Sequence, residues 1–462
     1  AAERAVKLDE LGSDLAAAGR WRPPPAAIRR LKLGLVLALW ASGLLALVTA
    51  PPPLVLARDA GFLLLLALAL PAAKAVSRAV AAAGLAAAAI LAVAYDDTGA
   101  LFEAAEGALV FVIFLPALFL MRETMQASPE ARAAETAFDA LGPGRRIAGL
   151  TVGSHLLAAV MIIGALPVIR PFLVRQEPAR RDEFARAAVR GFALCVLWSP
   201  FTVAMGFVLT ARPDVELASV IAVGLPTTVA ALVAAVFVDR GLAGVRAAVP
   251  ALVAFRSLAW PILVLVTLVV VVSSLTPLST LEVVAVVLPP LCLARLLALP
   301  ERPVRRAVVG AGHDLPRMGD ELLIFAGALV LGDLITTSGV ADVVACWLRL
   351  ADWPVALVPF LGFGLGPLLA LAGLHPIVAG TVLLALLGPV SGELPDLVEI
   401  QVVLFGWMAG AMVSYASLSI VAASGFFDVP VRRLVLGVNL RYLAGLAVGV
   451  AAVHALVLTV VG

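Results

Sequence analysis

The chain has 462 residues, of which 62% are hydrophobic and 14% charged, with a formal net charge of +2 and a mean hydropathy of +1.08. No soluble globular domain carries that balance, and no aromatic-basic surface is available to stack bases, which excludes nucleic acid as a partner. Repeated apolar stretches of about 20 residues, each able to cross a hydrocarbon core of roughly 30 Å, define the expected fold class as an all-α polytopic membrane protein surrounded by membrane lipids. Alternating period-2 segments are absent, so a β-barrel is not expected.

Residues 1–32 form a polar segment of mixed charge. Val6, Leu8, Leu11 and Leu15 make a weak apolar stripe that Pro23-Pro24-Pro25 ends, which fits either an amphipathic surface helix or a solvated tail. The segment has no cleavable-signal pattern, and because the chain starts at Ala1 rather than Met, a start further upstream is expected. Arg20, Arg22, Arg29, Arg30 and Lys32 crowd the first span and favour a cytoplasmic N-terminus. An N-terminal scaffold follows over 33–146, with spans at about 33–50, 60–76, 79–95 and 102–121 and a polar loop at 122–146. The second and third spans, joined at Ser77-Arg78, read as a tight hairpin or as one re-entrant unit.

A first repeat is assigned to 147–274. It opens with a span at 147–169 and a basic connector holding Arg170, Arg175, Arg180 and Arg181. Next comes an apolar segment broken at Ser199-Pro200, then a span at 215–238 interrupted at Gly224-Leu225-Pro226-Thr227-Thr228, then a long stretch over 247–274. Residues 275–319 supply a linking span near 281–298 and a basic loop with Arg302, Arg305, Arg306 and Arg317. The second repeat, 320–462, runs in the same order. Its first span holds Asp333, the segment 354–390 is broken at His375-Pro376, an acidic connector holds Glu393, Asp396 and Glu399, and the span at 400–425 is interrupted over Ser414 to Ser419. A final span lies at 438–461. The repeated order of elements, with Gly164 and Gly339 offset by nearly the same distance as the two prolines, reads as a diverged internal repeat. The basic loops and the acidic connector make the repeat an inverted one, although that parity requires one more crossing than the pattern shows, within 247–298. The expected architecture is thus about 10–12 transmembrane helices plus two re-entrant helical hairpins in two inverted repeats.

Proline in an apolar helix removes a backbone donor and clashes with the preceding turn. Non-helical backbone in a bilayer survives only inside protein or beside a polar cavity, so paired breaks in corresponding halves point to a transporter binding site. The expected substrate-binding residues are Ser199, Pro200 and Thr202 at one tip and His375, Pro376 and Thr381 at the other. Thr227 and Thr228, and Ser414, Ser417 and Ser419, complete the cavity from the interrupted spans. Helix termini at such tips favour an anion. His375 either binds an anion or carries a proton, or is a neutral tip residue. Asp333 inside an apolar span is a candidate to accept a proton or hold a cation, with a structural hydrogen bond as the alternative, and His155, after Ser154, is a weaker proton-coupling candidate. Arg186 and Arg190 read as a solvated or headgroup-facing stripe. Cys195, Cys292 and Cys346 are isolated and no CxxC occurs, so neither a disulfide nor a metal site is expected. There is no phosphate-binding Gly-rich loop, no HExxH and no paired acidic motif, so the chain is not read as an enzyme, and no catalytic residue is assigned. No cofactor is expected beyond a coupling Na+ or H+.

From about 147 to 461 the chain resembles the ion transporter superfamily, which includes divalent-anion/sodium symporters and the large membrane subunits of tripartite C4-dicarboxylate transporters. The resemblance rests on the order of hairpin and broken helix, and most specifically on Leu197-Trp198-Ser199-Pro200 and Gly373-Leu374-His375-Pro376. It implies hairpin tips and interrupted helices around one site, an elevator-like transport domain, and a scaffold that mediates a homodimer. The Ser-Asn-Thr signatures of the sodium-coupled dicarboxylate symporters occur at neither tip. The expected function is a secondary active, elevator-type transporter of a small anionic organic solute in a bacterial-type cytoplasmic membrane, driven by a proton or sodium gradient. Two alternatives stand beside it: a large membrane subunit served by a periplasmic binding protein, and a lipid flippase or membrane-embedded transferase.

Overall fold

The computed structural model describes residues 26–73, 75–94, 107–161, 164–174, 178–337, 339, 343, 346, 354–387, 395–415 and 417–461. The expected stripe at residues 6–15, Arg175 and Glu393 lie outside the described residues. In chain order the helices are α1 (Ala26–Ala46), α2 (Pro52–Ala69), α3 (Ala75–Ala94), α4 (Val110–Ala127), α5 (Pro129–Asp139), α6 (Arg146–Met161), α7 (Ala165–Val174), α8 (Pro178–Leu194), α9 (Val203–Ala211) and α10 (Leu217–Ala254). They continue with α11 (Arg256–Leu275), α12 (Thr280–Ala298), α13 (Val304–Asp314), α14 (Gly319–Thr337), α15 (Val358–Leu371), α16 (Pro376–Leu387), α17 (Asp396–Val413), α18 (Leu418–Phe427), α19 (Val431–Val435) and α20 (Val438–Val461). Among the described residues there is no strand.

Seven of these elements are long and apolar enough to cross a membrane: α2, α4, α10, α11, α12, α17 and the stretch Val431–Val460. Four shorter apolar helices accompany them, at Arg146–Met161, Glu321–Leu331, Val355–Leu371 and Pro376–Leu387. The chain is an all-α membrane protein with several spans.

Several boundaries differ from the sequence reading, each for a local reason. The break expected at Ser77-Arg78 falls instead at Leu70–Ala72, a 3-10 turn containing Pro71, and Ser77 and Arg78 lie inside α3. Pro71 is the stronger interruption because it lacks the N–H that α-helical bonding needs. The expected polar loop at 122–146 contains α5, which starts at a Ser128 cap accepting from Ala131 N, with Pro129 in its first turn. The connector at 170–190 is mostly helix, in α7 and α8. The interruption expected at Gly224–Thr228 does not occur: α10 runs unbroken through Pro226. Its one non-helical residue is Gly241, at φ +58 and ψ −147. The stretch 247–274 breaks at Phe255, between α10 and α11. The kink at Gly241 and the break at Phe255 together set off a short helical piece, and a periodicity reading has no signal for it.

The chain divides into two compact units, Ala1–Pro116 with Gly312–Leu334, and Ala117–Ala311 with Ile335–Gly462. In the first, α1 packs on α2, where Gly61 admits Leu39 and Leu35. Gly84 of α3 faces the backbone of Gly327 on α14, with room for no side chain, and Phe111 stacks at 4.8 Å on Phe325. Without a hydrophobic drive between helices in lipid, such close small-residue crossings supply the packing.

The second unit is built around α17. Its span is 83% buried, whereas the other six range from 17% to 56%. α15 and α16 pack along α17. Gly362 of α15 faces Val402, and a Cβ on Gly366 would lie 2.7 Å from the Gly406 backbone. Gly366 and Gly406 thus form the close small-residue crossing between α15 and α17. α17 also meets α8, α9 and α10, and the buried Gln401 donates from Nε2 to Val220 O of α10 at 3.3 Å.

Candidate functional site: two helix-breaking turns gathered on one helix

The first turn begins where α8 tightens into the 3-10 turn Cys195–Leu197. Ser199 is fully buried. Its hydroxyl donates to Ala159 O of α6 at 2.6 Å and accepts from Phe201 N at 3.3 Å, so it fixes the turn that Pro200 occupies. Thr202 then caps α9 by accepting from Met205 N at 3.2 Å, while its own hydroxyl donates to Ser199 O. A lone threonine cap of this kind contributes about 1 kcal/mol.

His155 holds the same turn from behind. Trp198 Nε1 donates to His155 Nε2 at 3.2 Å, and an indole N–H is a donor only. Nε2 is therefore the lone-pair nitrogen, and Nδ1 carries the proton it donates to Gly191 O at 3.2 Å. Both ring nitrogens of His155 are used, in one tautomer, between α6, α8 and the first turn.

The second turn joins α15 to α16 through Ala372–His375. Gly373 takes φ +86, a conformation in which a side chain is strained, and Leu374 N reaches back to Leu369 O at 3.1 Å. Pro376 starts α16, where its missing N–H costs nothing. His375 Nδ1 accepts from Ile377 N at 3.4 Å and so acts as a side-chain cap. Thr381 is buried in α16.

The two turns are seated in parallel ways. A Cβ on Gly224 of α10 would strike Leu197 O of the first turn, and a Cβ on Gly410 of α17 would lie 2.7 Å from Pro376 of the second. Four residues after each glycine stands a hydroxyl. Thr228 donates to Leu194 O at 3.4 Å, and Ser414 donates to Leu374 O at 3.1 Å. One glycine-x3-hydroxyl pattern thus receives each turn. Here α10 and α17 part ways. Thr227 bonds back to Val223 O at 2.9 Å and α10 stays helical, whereas α17 ends at Ser414, whose backbone is extended. Ser417 resumes the chain as the cap residue of α18, and its hydroxyl pairs with that of Ser419 at 2.7 Å. Of the two interrupted spans expected from sequence, only the second is interrupted.

The helices leaving the two turns meet on α17. Phe207 of α9 and Trp407 of α17 stack at 5.6 Å, and Gly380 of α16 sits against both rings and Val403. At its far end α9 is closed by Arg212, which pairs with Glu399 and, at 3.6 Å, with Asp396 at the start of α17. Ser199, Thr202, Thr228, His375, Thr381 and Ser414 therefore belong to one assembly around α17. Asp333 lies in α14, and the surroundings of its side chain are outside the described residues.

The largest departure from the sequence reading is Arg190. It was expected on a solvated stripe, but it is completely buried. Its Nη2 lies 2.5 Å from both carboxylate oxygens of Asp239 on α10, and its guanidinium sits 5.7 Å from the centre of the Tyr442 ring. Nε and Nη1 have no hydrogen-bond partner among the described residues. The neighbouring pair, Arg240 with Glu183 at 3.0 Å, is half-exposed. Helix periodicity gave the wrong face because α8 packs along α6 with Gly191 set directly on Thr151 O, which turns Arg190 inward. Asp239, an acid near the end of an apolar span, was the available signal.

No protein-family profile and no curated protein matches this chain. Its own geometry defines a helical membrane protein with two helix-breaking turns gathered on one central helix, beside the buried Arg190–Asp239 pair.

Proposed function

We propose that the protein is a secondary active transporter of a small anionic organic solute in a bacterial cytoplasmic membrane. The observation that carries this reading is the parallel seating of the Ser199-Pro200 and His375-Pro376 turns on the glycine-x3-hydroxyl positions of α10 and α17. In this reading α8–α9 and α15–α16 are the hairpins of two inverted repeats. The first turns of α9 and α16 present backbone N–H groups and positive dipole ends to the solute's negative charge. A proton gradient drives the step through Asp239. Protonating that carboxylate removes the counter-charge of Arg190 and loosens α8 from α10 next to the Gly241 kink. A buried carboxylate on an apolar span is a functional candidate by default, and among the described residues Asp239 is paired to the fully buried Arg190. Hairpin and α17 then move together in an elevator-like step.

The test is uptake by purified protein in liposomes of a panel of radiolabelled mono-, di- and tricarboxylates, under an imposed pH gradient and, separately, a sodium gradient. Saturable uptake of an anion, lost in Ser414→Leu, is expected. Uptake of every anion at the protein-free level would overturn the reading.

A further inference from the structure

The segment that leaves the membrane-length helix α12 carries three arginines that the transport reading does not use. Arg302, Arg305 and Arg306, with Pro303 and Val309, line an open recess of about 470 Å³. All three guanidiniums are exposed, and none has a hydrogen bond or ion pair among the described residues. The arginines around the start of α8 differ: Arg181 of α8 pairs with Asp428, and Arg240 of α10 and Arg433 of α19 pair with Glu183 and Asp182 of α8. The nearest carboxylates do not neutralise the recess, since Glu301 forms no such pair and Glu123 is held by Arg122 at 2.8 Å.

The position makes the charge costlier. Arg305 and Arg306 lie in the first turn of α13, where unbonded N–H groups and the helix dipole already favour an anion and disfavour cations. Arg302 holds a left-handed backbone at φ +43, which brings it to the same recess. An apolar side chain is left open in the recess itself, Val309 at 63% exposed, and the next residue back on α13, Val308, is 48% exposed. A soluble phosphate would match the arginines and leave the valines in water. A lipid with an anionic headgroup matches both at once.

We propose that this recess is a binding site for an anionic phospholipid, its phosphate and headgroup charge held by Arg302, Arg305 and Arg306 and its acyl region lying over Val308 and Val309. At about 1 kcal/mol per arginine near an anionic surface, the three together correspond to on the order of a hundredfold preference over a zwitterionic lipid.

The full chain in neutral detergent is titrated with phosphatidylglycerol or phosphatidylcholine and the bound lipid is counted by native mass spectrometry. Expected results are preferential retention of phosphatidylglycerol, loss of that preference on the order of a hundredfold in R302Q/R305Q/R306Q, and a loss of about fivefold in R305Q alone. A control triple at other exposed arginines, R29Q/R30Q/R145Q, keeps the preference at this site within about threefold. Millimolar inorganic phosphate leaves lipid retention unchanged. Equal phosphatidylglycerol binding by wild type and the first triple, an equal loss in the control triple, or full competition by phosphate would each overturn the proposal, the last in favour of a free-anion site.

Discussion

Arg190 and Asp239 allow the sharpest perturbation of the protein. Arg190 is fully buried and the Asp239 side chain 6% exposed, with 2.5 Å between the closest atoms. Two unit charges about 4 Å apart attract by roughly 4 kcal/mol at an effective dielectric constant of about 20. Removing either charge leaves the other buried and alone, which costs about 3–5 kcal/mol, whereas replacing both with apolar groups of similar volume is neutral or even stabilising by about 1–4 kcal/mol. Arg190→Met and Asp239→Leu are therefore each expected to lower the thermal midpoint of the detergent-solubilised protein by several degrees, and the double variant to recover most of that loss. Fluorescence-detected size exclusion after heating gives the comparison. Singles that match wild type, or a double variant whose loss equals the sum of the singles, would refute the picture of a desolvated, mutually dependent pair. The double variant also separates stability from function: it is expected to fold while losing proton-driven uptake.

Further outcomes follow from the same geometry. Gly410→Ala and Gly224→Ala put a Cβ against Pro376 and Leu197 O, and each is expected to cost about 1–3 kcal/mol by overpacking. Gly425→Ala, where a Cβ meets nothing within 4 Å, is expected to raise the midpoint slightly. Trp198→Phe leaves His155 Nε2 buried without its donor, an expected loss of about 1–3 kcal/mol that the same heating assay reads. At Glu130, on the amphipathic α5, burial is the largest single influence and works against the charged form, but the hydrogen bond and charge of Arg295, with the backbone N–H of Glu130 and the Ser128 hydroxyl, together outweigh it and hold the carboxyl below the usual glutamate range. A lowered folded value means the contribution is complete above the ordinary pKa of about 4.3 and is lost as pH falls through the folded value. Because the pair is partly exposed, Glu130→Gln is expected to cost less than about 1 kcal/mol near neutral pH, with the difference from wild type vanishing in acid.

Much of the architecture was legible where proline and hydropathy carried it. The breaks at Ser199-Pro200 and His375-Pro376, and the interruption at Ser414–Ser417, stand where the sequence put them, because a proline or an extended serine acts locally on its own backbone. The reading failed where partners decide. Pro226 resembles Pro200 in sequence, yet α10 continues through it: Gly224 lets the first turn dock against the helix, and Thr227 bonds back to Val223. Arg190 looked solvated because it repeats Arg186 at i+4 as a charged stripe, but only the packing of α8 on α6 and α10 settles which face turns inward. Gly362/Gly366 and Gly406/Gly410 were present in the sequence as small-residue spacings, but that Gly366 meets Gly406 while Gly410 seats Pro376 appears only once α15 and α16 are seen against α17.

The proposed transport function has the two turns around α17 serve solute movement coupled to the Arg190–Asp239 pair. Its most direct test is uptake of the carboxylate panel into liposomes across a series of imposed pH gradients, comparing wild type with Asp239→Asn, a variant that keeps the side-chain shape and loses the titrating charge. The account requires gradient-stimulated uptake in the wild type and, in Asp239→Asn, uptake or exchange that no longer responds to the gradient. An Asp239→Asn protein whose uptake follows the pH gradient as the wild type's does would contradict it.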